Sequence, residues 1–430
     1  MATAASPTVG LEMAIRLCAV LIGILCLQAE GQEPGYIVSM SVGPLPQTGL
    51  YYVPPNGGTA IQLARPRVLP AVSVMGPSMA QLPGNRHILV DESYSTGYNT
   101  FSYHVFDRLR GSYDPLPLIP PIAQGVFGTL VIDQEGDLIL AASGSQTSGV
   151  YRLGRDGSYR NVASFGGLSG EVLVDLDTGD YVVCASPAVL RVSPGGSVFT
   201  IGNLAGAIVQ AQDPESGEYL VWAPDGVNLP SRIHRMAATG VVTSTNITAA
   251  RPVGTAVDET PSVLGEYVYC SFQSYIARAS RAGGMSTILQ QFPGFCVDMI
   301  MDSVQSISTT NAGLPNKWNL LIGFSHDRGY PYIVLVGVSG YRAGITLQDQ
   351  RRIRLNPDGV TVLGASGGLQ GFTGLLGTLD SLGNARGMID LSAVGPAARG
   401  LPFWMVGLVL DPAAPSGIRR ISPPVVVQIR

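Results

Sequence analysis

The sequence predicts an all-β fold, a six-bladed β-propeller followed by a C-terminal β-sandwich, and three observations carry that expectation. A unit of about forty residues recurs through the first two thirds of the chain. The two ends of that region hold complementary fragments of one further unit. Beyond Ser303 the period gives way to short alternating apolar runs.

Taken in order, residues 13–31 read MAIRLCAVLIGILCLQAEG, with one Arg, an apolar run through Leu27, and small residues at Ala29 and Gly31. This is the pattern of a secretory signal peptide, so residues 1–31 are expected to be removed and the product exported to the periplasm, envelope or exterior. No later stretch reaches eighteen consecutive apolar residues, so no transmembrane segment is expected after cleavage.

Residues 32–303 are expected to form the propeller. The copy from Gly128 reads GTLVIDQEGDLILAASGSQTSGVYRLGRDGSYRNVASF and the next, from Gly170, reads GEVLVDLDTGDYVVCASPAVLRVSPGGSVFTIGNL. Each is four short strands separated by turns, and looser copies begin at Gly206, Gly254 and Gly294. The first strand is apolar and ends at an acidic or Gly turn. The third strand ends before a Gly at 157, 196, 240 and 284, where positive φ suits a tight hairpin. An earlier copy fits with a long insertion, with PGNRHILVDE from Pro83 as its second strand and a third turn at Gly111. The N-terminal YIVSMSV and GLYYVPPNGGTAIQL match strands two to four without a first strand, whereas FCVDMIM at 295–301 is a first strand without followers. Pairing them completes a sixth blade and removes the free sheet edges. Residues 304–430, rich in Leu, Gly and Pro with runs such as WNLLIGF and YIVLVGV, fit a separate sandwich.

Composition narrows the function. The chain is 46% hydrophobic and 13% charged with a net charge of -4, which excludes a disordered chain and leaves no broad basic surface, so nucleic acid is not an expected partner. Three cysteines, Cys184, Cys270 and Cys296, follow the signal segment. An odd number at irregular spacing is no disulfide framework; Cys270 and Cys296 fall in neighbouring blades and could meet, but small buried thiols are the expected reading. The histidines, His87, His104, His234 and His326, lie far apart without zinc-ligand spacing. Residues 364–368 form a G-x-S-x-G around Ser366, which is read as a Gly-rich turn in the sandwich with no helix behind it and no later His.

The loops between strands two and three remain as the expected mouth of the channel. Residues 91–99, DESYSTGYN, offer Asp91, Glu92, Tyr94, Tyr98 and Asn99. Residues 222–228, WAPDGVN, offer Trp222, Asp225 and Asn228. Aromatic faces beside hydrogen-bonding groups suit a sugar, so a glycan or a surface protein is the expected partner.

On the residues Val131, Asp133, Gly136 and Asp137, and again Val174, Asp175, Gly179 and Asp180, the repeat resembles secreted six-bladed propellers of the NHL and SMP-30 type. SMP-30 lactonases hold a divalent ion in the channel with acidic and amide ligands from first strands and adjoining loops. That set does not map residue by residue here, and the nearest inward candidates are Asp175, Asp258 and Asp298, for which turn capping is the stronger reading. The C-terminal region resembles a module found on exported proteins of planctomycete-type bacteria, through KWNLLIGFSHDRGYPYIVLVGV, the turn at 380–384 and LDPAAP from Leu410. That family usually carries cysteines in a loop where this chain has none. The resemblance implies an accessory, surface-binding or anchoring role and no activity.

The expectation is thus an exported non-catalytic binding or scaffold protein without a cofactor. The alternative is a metal-dependent lactonase or lyase, for which calcium would sit in the channel. Deleting everything after Ser303 is expected to leave a soluble propeller that melts cooperatively by circular dichroism; an insoluble or molten product would move the boundary.

Overall fold

The computed structural model describes residues 36–429 apart from 42–48, 55–58, 65–73, 83–85, 96–97, 108–111, 116–124, 134–136, 145–147, 155–157, 167, 214–215, 225–230, 249–251, 259–265, 272–274, 281–285, 293–294, 302–304, 313, 325–326, 350, 394–397 and 399. The signal-like segment lies outside the described residues.

The chain is nearly all β. It opens with β1 (Tyr36–Ser41), β2 (Gly49–Val53) and β3 (Ile61–Ala64). A second group is β4 (Val74–Leu82), β5 (Arg86–Ser95), β6 (Tyr98–Asp107) and β7 (Ser112–Pro115), followed by β8 (Gly125–Ile132), β9 (Leu138–Gly144), β10 (Gly149–Leu153) and β11 (Tyr159–Ser164). Then come β12 (Leu168–Val174), β13 (Tyr181–Ala185), β14 (Ala188–Val192) and β15 (Val198–Asn203), and β16 (Ile208–Gln212), β17 (Tyr219–Pro224), β18 (Ser231–Met236) and β19 (Val242–Thr248). The series ends with β20 (Pro252–Asp258), β21 (Glu266–Ser271), β22 (Tyr275–Ala279), β23 (Thr287–Gln291) and β24 (Phe295–Met301).

Five of these groups are four-stranded antiparallel meanders in chain order, and a sixth sheet has the order β24-β1-β2-β3. The late strand pairs with the earliest one from Tyr36 opposite Met301 to Ser41 opposite Phe295. The innermost strands touch in a ring, β4 to β8 to β12 to β16 to β20 to β24 and back to β4. Pairing the two ends completes the sixth sheet and closes the ring. We number the blades from β4–β7 as blade 1, with β24-β1-β2-β3 as blade 6.

Apolar cores lie between consecutive blades. Ile139, Ala141 and Val150 of blade 2 meet Val172, Tyr181, Val183 and Leu190 of blade 3. Val182, Cys184 and Val189 of blade 3 meet Val209, Tyr219, Val221 and Met236 of blade 4. The second strand β13 is buried throughout, whereas the fourth strand β15 on the rim is open, with Phe199 51% exposed. Each buried aliphatic or aromatic side chain contributes about 1.5–3 kcal/mol. Two of the expected third-turn glycines show positive φ, 97° at Gly196 and 86° at Gly240, where backbone carbonyls crowd the position of any Cβ; Gly111, Gly157 and Gly284 lie outside the described residues.

Polar bonds repeat with the blades. The Tyr181 hydroxyl donates to Asp133 Oδ2 at 3.0 Å, Tyr219 donates to Asp175, and Tyr267 donates to Asp213 at 3.0 Å. In each pair the Asp follows the innermost strand of one blade, and the Tyr is the first or second residue of the second strand of the next. The other carboxylate oxygen closes the blade's own first turn: Asp175 Oδ1 accepts from the amides of Asp177 at 2.7 Å and Thr178 at 3.2 Å. An Arg of the third strand attends two of these latches and the first tyrosine of blade 6, while Arg191 of blade 3 pairs with Asp180 instead. Arg152 reaches Asp133 at 3.0 Å, Arg235 donates to the Tyr267 hydroxyl at 3.0 Å, and Arg278 donates to Tyr36 at 3.4 Å. Leu138, the first residue of β9, stands where blades 3 to 6 place Tyr.

The remaining strands form two further layers. In one sheet β25 (Gln305–Asn311), β26 (Lys317–Phe324), β32 (Asn384–Asp390) and β30 (Phe372–Thr373) lie in that order. In the other, β31 (Leu376–Thr378), β27 (Pro331–Gly337), β33 (Pro402–Leu410) and β34 (Ile418–Ile421) are joined by β35 (Val425–Gln428), which also pairs with β33. Trp318, Leu320 and Phe324 of the first sheet pack against Val334, Val336 and Met405 of the second in one core. On the outer face of the second sheet lies a smaller core with Ile353, Leu355 and Ala365, under the hairpin β28 (Ile345–Thr346) and β29 (Arg352–Ile353) and the helix α1 (Gly359–Ala365). That helix was not expected. Asp358 and Thr361 cap it reciprocally, and Asp358 also accepts from the amides of Val338 and Ser339.

Tyr219→Phe is expected to cost about 1–3 kcal/mol, because one buried oxygen of Asp175 loses its donor. Urea unfolding of Tyr219→Phe, Asp175→Asn and the double variant checks this; additive losses would mean that the two groups are uncoupled.

Candidate functional site

The antiparallel meander gives the propeller two faces of different make. The turns from first to second and from third to fourth strand lie on one face; the connections from second to third strand, and those between blades, lie on the other. Chain path therefore assigns each candidate residue to a face before any side chain is considered.

The turn face carries the C-terminal sheets. Arg342, in the connection after β27, pairs with Asp177 of the first turn of blade 3. The same guanidinium packs over Gly217 in the first turn of blade 4, a residue with φ of 74° and no room for a Cβ beneath Arg342. Beside this contact the first turn of blade 3 and Pro194 face Trp318 and the end of β35 across a cavity of about 160 Å³. Below it, Arg152 binds Asp133 at 3.0 Å and Asp137 at 2.8 Å. Burial pushes the Asp133 carboxyl above the usual carboxylate range while Arg152 pulls it down. Burial also raises Asp180, with Arg191 at 3.4 Å opposing it.

Asp175, one of the expected metal candidates, belongs to this face and not to the channel. It is 1% exposed, with one oxygen turned to its own turn and the other to Tyr219, so coordinating an ion would break a blade latch. Asp258 is the last residue of β20, whereas Asp298 lies inside β24 opposite Ser39 and not at its end; their side chains lie outside the described residues. Among the described residues no three His, Cys, Asp or Glu side chains gather as metal ligands. In the first strands of blades 3 and 4, Gln210 donates to Glu171 at 3.5 Å.

The opposite face receives the residues predicted as ligand loops, with a change of form. Asp91, Glu92 and Tyr94 lie on β5, and Tyr98 and Asn99 on β6, so the expected loop is an extended hairpin in which Asp91 pairs with Ser102 and Tyr94 with Asn99. Alternating Tyr, Ser and Thr keep this insertion in strand geometry up to residues 96–97, whereas its polarity alone reads as loop. Trp222 is likewise a strand residue. It is half-buried on β17, paired with Ile208 and Ile233, and packs against the core between blades 4 and 5. Asp225 and Asn228 lie outside the described residues.

Two further expectations concern reactive groups. Cys184 is fully buried, and burial pushes its thiol up to about 12, as an inert core residue requires. Cys270 and Cys296 stand on β21 and β24, with side chains outside the described residues. Ser366 caps the C-terminus of α1, so the helix precedes it, and its hydroxyl donates to the Leu363 carbonyl at 2.9 Å. A nucleophile elbow needs the helix after the serine.

No protein-family model matches the chain, and no curated protein matches it. Among solved structures, TolB from Acinetobacter baumannii is similar with 16% identity and a TM-score of 0.48 over 69% of this chain and 72% of that one. A protein from Lactobacillus plantarum has 11% identity and a TM-score of 0.41 over 63% and 99%. A gluconolactonase from Xanthomonas campestris has 14% identity and a TM-score of 0.36 over 60% and 96%.

Gly217→Ala is expected to destabilise the protein by about 1 kcal/mol or more, through its positive φ and the displaced guanidinium. Arg342→Ala, removing a half-exposed pair, is expected to cost less than about 1 kcal/mol. In the Arg342→Ala background the Gly217 penalty should shrink, and a double-mutant cycle by urea unfolding reads the difference.

Proposed function

We propose that the protein is an exported, non-catalytic binding or scaffold protein whose ligand face is the propeller face opposite the C-terminal sheets. One observation carries the reading: those sheets dock on the turn face through Arg342 and Asp177, which leaves the long β5–β6 hairpin on the other side. In this reading Asp91, Glu92, Tyr94, Tyr98 and Asn99 meet a glycan or a surface protein. The C-terminal layers serve attachment, and the chain divides near residue 303 into propeller and sandwich. No helix among the described residues is long and apolar enough to cross a membrane.

The test joins a glycan array on the purified chain with elemental analysis and thermal melts with calcium or a chelator. A glycan hit weakened about tenfold or more by Tyr94→Ala or Tyr98→Ala supports the proposal. A stoichiometric ion whose removal lowers the melting temperature, with turnover of a lactone, replaces it with the metal-dependent enzyme.

A further inference from the structure

The cavity at the junction of propeller and C-terminal sheets is a second candidate site, on the face opposite the proposed ligand hairpin. One wall is the propeller's Thr178, Gly179, Asp180 and Pro194, and the other is Trp318 with Val427, Gln428 and Ile429 at the end of the chain. Its floor is Asp133, whose oxygens are taken up by Tyr181, Arg152 and the Asp137 amide.

Other polar groups on its walls are uncommitted. The Gln428 amide, on the half-buried end of β35, has no partner among the described residues. Thr178 accepts from the Asp180 amide at 3.2 Å, which leaves its hydroxyl hydrogen to donate elsewhere, and Asp180 meets Arg191 through one oxygen only. Donors and acceptors thus face each other from the two walls, between the apolar surfaces of Pro194, Trp318, Val427 and Ile429.

Charge selects the ligand class. Asp133, Asp137 and Asp180 stand against Arg152 and Arg191, and Arg160 donates to the Pro194 carbonyl at 2.7 Å, so the formal charges around the cavity balance, and its ion-paired carboxylates and bonded guanidiniums offer little to a bare anion or cation. The volume holds about five waters at liquid density. We propose that this cavity binds one neutral polyhydroxylated ring of monosaccharide size, hydrogen-bonded to Thr178 and Asp180 on one side and to Gln428 on the other. Such a ligand would bridge the propeller and the C-terminal layers.

The experiment uses the full chain with glucose, galactose and N-acetylglucosamine, and maltopentaose as a chain-end probe, read by saturation-transfer NMR and thermal shift. A free sugar and a glycan end share this chemistry. Saturable binding of a monosaccharide alone assigns the former, and comparable binding of maltopentaose assigns the latter. Gln428→Ala and Thr178→Val, each first shown to keep the wild-type melting behaviour, are expected to weaken binding about fivefold or more. Absence of saturable binding by any probe, or binding unchanged in both variants, overturns the proposal.

Discussion

A carboxylate buried at the end of an innermost strand is the constraint on which the rest of this structure depends. Removing a charge from water is costly unless its oxygens are bonded. At Asp133, Asp175 and Asp213 one oxygen serves the turn of its own blade and the other takes a tyrosine hydroxyl from the next. Each carboxylate thereby couples its own turn to the register of the next blade, since losing either partner leaves one of its oxygens a donor short. The apolar cores between blades supply the bulk of the stabilisation but are non-directional; the latch fixes which residues face each other.

The same latches shape the turn face. Asp133 brings Arg152 beneath the cavity, and the turn that Asp175 closes presents Asp177 to Arg342. The C-terminal layers have their own ionic brace: buried Asp327 binds Arg419 at 2.7 Å, Arg419 also reaches Asp411 at 3.2 Å, and its guanidinium lies 4.7 Å from the Tyr330 ring centre. The paired arginine of the IRRI run thus holds the LDPAAP turn against the start of β27, in a region without cysteines. Both devices use arginine, whose planar fork bonds two partners at once.

Much of the architecture was legible because the repeat is covalent. Blade spacing, the glycine turns at Gly196 and Gly240, and the pairing of FCVDMIM with YIVSMS all follow from residues that recur at fixed offsets. The Asp and Tyr of each latch recur too, and Tyr181, Tyr219 and Tyr267 stand at one repeat position; the signal was in the sequence but read as ordinary apolar strand starts. Asp175 therefore looked like a channel ligand or a turn cap, and proved to be a cap that also reaches across to its neighbour. The helix at Gly359–Ala365 was illegible because Gly, Val and Thr favour other conformations, and its stability comes from the Asp358 cap and the sheet beneath it.

What the sequence by itself determined is periodic and local: the four-strand unit, its turns, and the one blade, split between the two ends of the repeat region, that closes the ring. What only the tertiary structure decided is which surfaces meet. Arg342 and Gly217 are 125 positions apart, and nothing in composition or period pairs them. Hydrophobic patterning says which side of a strand is buried, but not which distant element buries it. Docking of the C-terminal layers on the turn face and the cavity between them both depend on packing between segments remote in the chain.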